Sequence, residues 1–107
     1  MENSTVIKVS LRRPYPAFVA HSKEILKEHG HVELQGLGEA SANTVRAAEM
    51  LCSLGYADLE KFETLSVTEP DHKNIDRRRN KVVVALTRSA GFDKAYNEFA
   101  NSRETPK

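Results

Sequence analysis

The sequence predicts a two-layer α+β sandwich of the α/β class, with elements in the order β-α-β-α-β-β and a short closing helix. Three observations carry this. Residues 32–54 read as a strand, a tight glycine turn and a buried helix. Two further runs, VIKVSL and KVVVALTR, have strand patterning. Apolar residues recur at helical spacing in the segments between and after them. At 107 residues the chain can build one core, but not a doubly wound nucleotide fold with a second substrate domain. We expect a flexible lead over 1–5, a single domain over 6–100 and a polar, flexible tail over 101–107.

In the first strand, 6–11, Ile7, Val9 and Leu11 alternate with Lys8 and Ser10, as in a half-buried strand. Arg12-Arg13-Pro14-Tyr15-Pro16 breaks it, because two prolines one residue apart exclude a strand ladder and a helix interior. Pro16 suits the first turn of a helix to about His29, with Phe18, Val19, Ser22, Ile25 and Leu26 on one side; Gly30 ends it.

In the next strand Val32 and Leu34 alternate with Glu33 and Gln35, and Gly36-Leu37-Gly38 makes the turn. The helix that follows from about Ala40 carries Val45, Ala48, Leu51 and Cys52 along its apolar side, with Gly55 just past its end. Residues 59–68 read as a third strand near a sheet edge, since threonines alternate with few strongly apolar residues. The stretch 69–80, EPDHKNIDRRRN, has no periodicity and reads as a long polar loop; loops of that length between hairpin strands tend to be functional. The strand 81–88 is rich in β-branched residues. Phe92, Ala95, Tyr96 and Phe99 then set an amphipathic helix over 90–100, for core or dimer contact.

Several chemistries are disfavoured. The dinucleotide motif needs a third Gly or Ala where Ser41 stands, and no acidic residue ends a second parallel strand at the required distance. His21, His29, His31 and His72 share no metal-ligand spacing and no cysteine pair accompanies them, so neither metal nor cofactor is expected. Neither a nucleophile elbow nor a paired-carboxylate pattern occurs, and no enzymatic activity is expected. The single cysteine, Cys52, reads as a packed core thiol. With no long apolar run and no signal segment, the expectation is a soluble protein of a reducing compartment, cytoplasmic or nuclear, without a membrane partner.

Two arginine clusters remain. Arg12-Arg13 follows the first strand. Arg77-Arg78-Arg79 lies with Lys73 and Lys81 in the stretch 69–81, where five basic residues face Glu69, Asp71 and Asp76 for a local charge of +2. Neighbouring guanidinium groups repel one another, so phosphate oxygens are their natural partner. The plain alternative is a solvated loop whose charges serve solubility.

These residues also resemble a known family. VELQGLGEASANTVRAAEML is similar to the signature of the Alba superfamily, a hydrophobic strand, a G-x-G or x-G-x-A turn, and a long helix ending in an apolar "AEIL"-like stretch. VSLRRPYPAFV resembles that family's first strand, basic pair, proline and aromatic-rich helix start. KVVVALTRSAGFDKAY resembles the last strand and the "S-x-x-F-D" helix of its eukaryotic members. The likeness spans about residues 6–99, in order.

The resemblance implies a β-α-β-α-β-β fold and a homodimer, or a heterodimer with a related Alba-like protein, that binds RNA or DNA without catalysis. It implies that the basic pair, Arg12 and Arg13, meets the phosphate backbone, and that the hairpin of Lys73, Arg77, Arg78, Arg79 and Lys81 serves as an arm. Tyr15 is a candidate to stack on an unpaired base, although a Tyr near a helix start more often packs. Gly36 and Gly38 are assigned to the turn. The chain departs from archaeal members, which carry cations beside the central glycine, by having Leu37 and Glu39 there, and Ser41 stands where an apolar residue is common. The less basic floor favours RNA over duplex DNA packaging. The competing expectation is a protein-interaction subunit of a ribonucleoprotein, of the RNase P/MRP or translational-control kind, that assembles with a relative through the edge strand and the last helix.

Overall fold

In a computed structural model, which describes residues 4–70 and 72–104 and, of 99–104, the backbone alone, the strands are β1 (Val6–Val9), β2 (His31–Leu37), β3 (Ala57–Pro70) and β4 (Asp76–Arg88). The helices are α1 (Tyr15–His29), α2 (Ser41–Ser53) and α3 (Phe92–Glu104), and a 3-10 turn, Gly38–Ala40, precedes α2. Residues 1–3 and 105–107, the ends of the expected lead and tail, lie outside the described residues, as does Asp71.

The sheet order is β1-β2-β4-β3. β1 runs parallel to β2, joined by the crossover helix α1, and β2–β4 and β4–β3 are antiparallel. The two-layer α+β architecture is therefore as expected, and β3 is the edge strand. Ile7, Val9, Val32, Leu34, Val82, Val84 and Leu86 bury one face of the sheet together with Phe18, Val19, Ile25 and Leu26 of α1 and Ala47, Ala48 and Leu51 of α2. Transfer of these apolar surfaces from water is the main force holding the layers together.

The helix ends follow local chemistry. Pro16 lies in the first turn of α1, and Gly30 closes the helix at φ 83°, its N–H donating to the Leu26 carbonyl at 2.9 Å. At the other end of the core Phe92 is buried against Tyr56, with ring centroids 5.9 Å apart in an edge-to-face arrangement, and the Tyr96 hydroxyl donates to Glu24 Oε2 at 2.8 Å. Phe92 and Ala95 thus serve the core, while the side chain of Phe99 lies outside the described ones.

The structure departs from the sequence expectation at five places. β1 stops at Val9, and Leu11, expected on the buried face, is 57% exposed because the chain turns away before Pro14. Gly36 is not part of the turn: it lies inside β2, paired with Val82. The buried stripe of α2 is Thr44, Ala47, Ala48 and Leu51, which leaves Val45 40% exposed and Cys52 half-buried on its flank. α3 continues to Glu104, into the segment expected to be tail.

The fifth departure bears on function. Residues 76–80 are strand, not loop, and the β3–β4 ladder continues to the pair Pro70 and Asp76, leaving a connection of only 71–75 with Asn74 at φ 65°. Cross-strand pairing supplies the order that the charged sequence itself does not signal. Since β2 ends opposite Lys81, residues 66–70 and 76–80 project beyond the sheet body as a two-stranded arm about 17 Å long.

Candidate nucleic-acid interface

Because side chains alternate along a strand, the three consecutive arginines leave the backbone toward two faces. The ladder sets Arg78 opposite Thr68, on the face shared with Asn80 and Val82. Arg77 and Arg79 share the opposite face with Lys81, across from Glu69, Val67 and Leu65. The pleat relieves the repulsion expected of three adjacent guanidinium groups, while their long side chains still reach shared grooves at the base of the arm.

Arg12 and Arg77, Arg78 and Arg79 line one open groove, between the turn after β1 and the base of the arm. Gly38 forms part of its floor. At φ 60° it adopts the left-handed conformation that glycine favours, and a Cβ there would sit 3.3 Å from Arg79 Nη1. The glycine therefore lets the Arg79 side chain lie close against the turn leading to α2.

A second groove, which shares Gly38, Glu39, Arg78 and Arg79 with the first, is also lined by Asn80, Thr64, Ser66 and Ser41. Here Arg78 Nε donates to Ser66 Oγ at 3.0 Å. The Ser41 hydroxyl, at the start of α2, is buried without a hydrogen-bond partner. Glu39 lines both grooves and is the acidic counterweight to their arginines.

The remaining expected residues are dispersed. Lys81 lies beside Lys8, Gln35 and Glu69 in a small depression on the sheet face away from α1 and α2. Lys73 is exposed at the tip of the arm. Arg13 is exposed and lines neither groove. Tyr15 packs against the core between α1 and α2, near Met50 and with the Arg46 guanidinium 5.9 Å from its ring centre. Its surroundings are those of a packing residue, and neither arginine groove includes it.

Sequence reasoning missed Lys8, Ser41, Thr64 and Ser66. The alternation of hydroxyls in Thr64, Ser66 and Thr68 is a visible signal, but assigning it to the arm requires the register. Gly36 has a packing role instead of a binding one: a Cβ on it would fall on the Thr44 hydroxyl and 2.8 Å from the Ala40 carbonyl. Thr44 in turn donates to that carbonyl at 2.9 Å, so α2 approaches β2 at a distance only glycine allows.

Among the described residues no group of three or more His, Cys, Asp or Glu could hold a metal ion, and no helix is long and apolar enough to cross a membrane. The Cys52 thiol is pushed above its ordinary pKa by burial and then by the nearby Asp58 carboxylate, the opposite of nucleophile activation.

No family model and no curated protein matches the sequence. Solved structures do. The chain is similar to ALBA1 from Trypanosoma brucei, with a TM-score of 0.79 and 25% identity over 94% of this chain and 82% of that one. It is also similar in fold to Alba from Thermoplasma volcanium, with a TM-score of 0.69 and 15% identity over 78% of this chain and 99% of that one. The Alba-like resemblance read from the residues thus holds in three dimensions.

Proposed function

We propose that this chain, whose fold is that of the Alba superfamily, is a dimeric, non-catalytic nucleic-acid-binding protein that holds the phosphate backbone, of RNA in preference to duplex DNA. One observation carries the reading: Arg12, from the turn after β1, shares a groove with Arg77, Arg78 and Arg79, from the arm. Two basic segments far apart in sequence converge on one open surface, which simple solubility does not require. Guanidinium groups lining such a groove suit phosphate oxygens, and the contact would be strongly salt-dependent. Glu39 and Leu37 keep the floor from being uniformly basic, which supports a local contact with a single strand over a continuous track for duplex.

The experiment is fluorescence anisotropy with labelled single-stranded RNA and duplex DNA across a salt series. RNA affinity should exceed duplex affinity and fall steeply with salt. Absence of binding to any nucleic acid at low salt would refute the proposal.

The dimer has its own support. Leu59 and Phe62 on β3 and Val45 on α2 are exposed by 57%, 50% and 40%. Exposed apolar side chains of this size on an edge strand and the neighbouring helix suit burial against a second chain. The same face also fits the second reading, a ribonucleoprotein subunit paired with a relative. Sizing of the purified chain separates the two, since a stable homodimer that retains RNA supports the first, and a monomer or aggregate rescued by a related chain supports the second.

A further inference from the structure

Three features of the arm converge on one residue, Ser66. It is exposed on β3, the edge strand, whose outer rim pairs with no other described strand, so the hydroxyl lies on an extended, accessible backbone. It stands opposite Asn80, beyond the last β2–β4 pair and so on the projecting arm, away from Leu59 and Phe62 nearer the body. Its Oγ already accepts a hydrogen bond from Arg78 Nε at 3.0 Å, and Arg79 lines the same groove. In the sequence an acidic residue follows at the third position, Glu69.

We propose that Ser66 is a phosphorylation site, and that its phosphate captures Arg78 and Arg79 and so switches off the arm's hold on nucleic acid. The enzyme would be a serine/threonine protein kinase that reads acidic residues after its target. In the transfer, Ser66 Oγ loses its proton to the kinase's base and bonds to the γ-phosphorus of ATP; the bond from that phosphorus to the β–γ bridging oxygen breaks and ADP leaves. The inference rests on the reading of the arm as a nucleic-acid contact.

Charge decides the sign of the effect. The stretch 69–81 carries five basic and three acidic residues, a net +2. A phosphoserine brings about −1.5 to −2 at neutral pH, which cancels that excess. Its oxygens also occupy the guanidinium of Arg78 with a charge-assisted bond, stronger than the neutral hydroxyl contact it replaces. An intramolecular phosphate thus competes with the phosphates of the ligand for the same donors. Asn80 and Thr64, also in the groove, add no positive charge to offset it.

The test uses the full chain with phosphoserine installed at position 66, alongside Ser66→Ala, Thr68→Ala, Arg78→Ala and the phosphoserine chain carrying Arg78→Ala. Unmodified chain is also incubated with an acid-directed kinase and ATP, and the acceptor is located by mass spectrometry. We expect modification at Ser66 in wild type and Thr68→Ala but not in Ser66→Ala. Phosphoserine should lower RNA affinity about tenfold and flatten the salt slope by one to two units, as for loss of that number of phosphate contacts. In the Arg78→Ala background the further loss should be smaller, because one captured donor is already gone. Failure of the kinase to modify Ser66, or unchanged RNA affinity of the phosphoserine chain when Arg78→Ala weakens binding, overturns the proposal while leaving the nucleic-acid reading intact. If Arg78→Ala and the triple arginine-to-alanine variant bind RNA as wild type does, the underlying reading fails and this proposal with it.

Discussion

Gly36 of β2 lies directly beneath Thr44 of α2, so close that a methyl group on the glycine would coincide with the Thr44 hydroxyl. The contact fixes how near the central helix sits to the sheet, and hence where the turn at Gly38 and the neighbouring Arg79 are placed. Gly36→Ala should destabilise the fold by about 1–3 kcal/mol through overpacking, read as a lower urea midpoint with an unchanged slope. Thr44→Ala in the same chain should recover only part of the loss, because the Ala40 carbonyl still stands 2.8 Å from the added carbon. A stable Gly36→Ala chain would contradict this account.

Arg12 and Arg79 meet at one groove, whereas Arg13 and Tyr15 do not line it. Substituting Arg12, Arg77, Arg78 or Arg79 by Ala should each reduce the salt slope of RNA binding by about one unit. Arg13→Ala should have less effect, and Tyr15→Leu should lower stability more than affinity. Equal binding losses for Arg13→Ala and Arg79→Ala would count against the groove.

Replacing Leu59 and Phe62 together by Asp should yield a folded monomer, by light scattering, if their exposure reflects an interface. Each side chain is about half exposed in the single chain, so the isolated fold should lose about 1–2 kcal/mol per site, from the apolar area still buried and the poor strand propensity of Asp. A dimer unaffected by both charges would place the interface elsewhere.

The order of elements was legible because periodicity survives translation into structure. Phe18, Val19, Ser22, Ile25 and Leu26, picked out by spacing, are the buried residues of α1. The arm was not legible as strand, since DRRRN carries neither alternation nor β-branched residues and owes its extension to pairing with β3. This in turn hid the split of the arginines onto two faces. The two glycines were visible as glycines, but only the approach of Thr44 separates the packing role of Gly36 from the left-handed turn at Gly38. Val45 falls outside the buried stripe because α2 turns Thr44 and Ala47 to the core, a choice of phase that sequence alone leaves open.

Cys52 gives a prediction with a definite sign. Burial and, second, the Asp58 carboxylate both raise its thiol pKa in the folded chain. A group whose pKa is raised by folding contributes stability that is fully present below its unfolded pKa and is lost as pH rises through the folded value. Thermal stability should therefore decline as the solution is taken from neutral to distinctly alkaline pH, and Cys52→Ala should remove that part of the decline. For the same reason iodoacetamide should alkylate the folded chain more slowly than the urea-unfolded chain at mildly alkaline pH. Asp58→Asn should speed the folded reaction, though by less than unfolding does, since burial is the larger cause. A folded thiol that reacts as fast as the unfolded one would show that the flank of α2 beside β3 is open to solvent at Cys52.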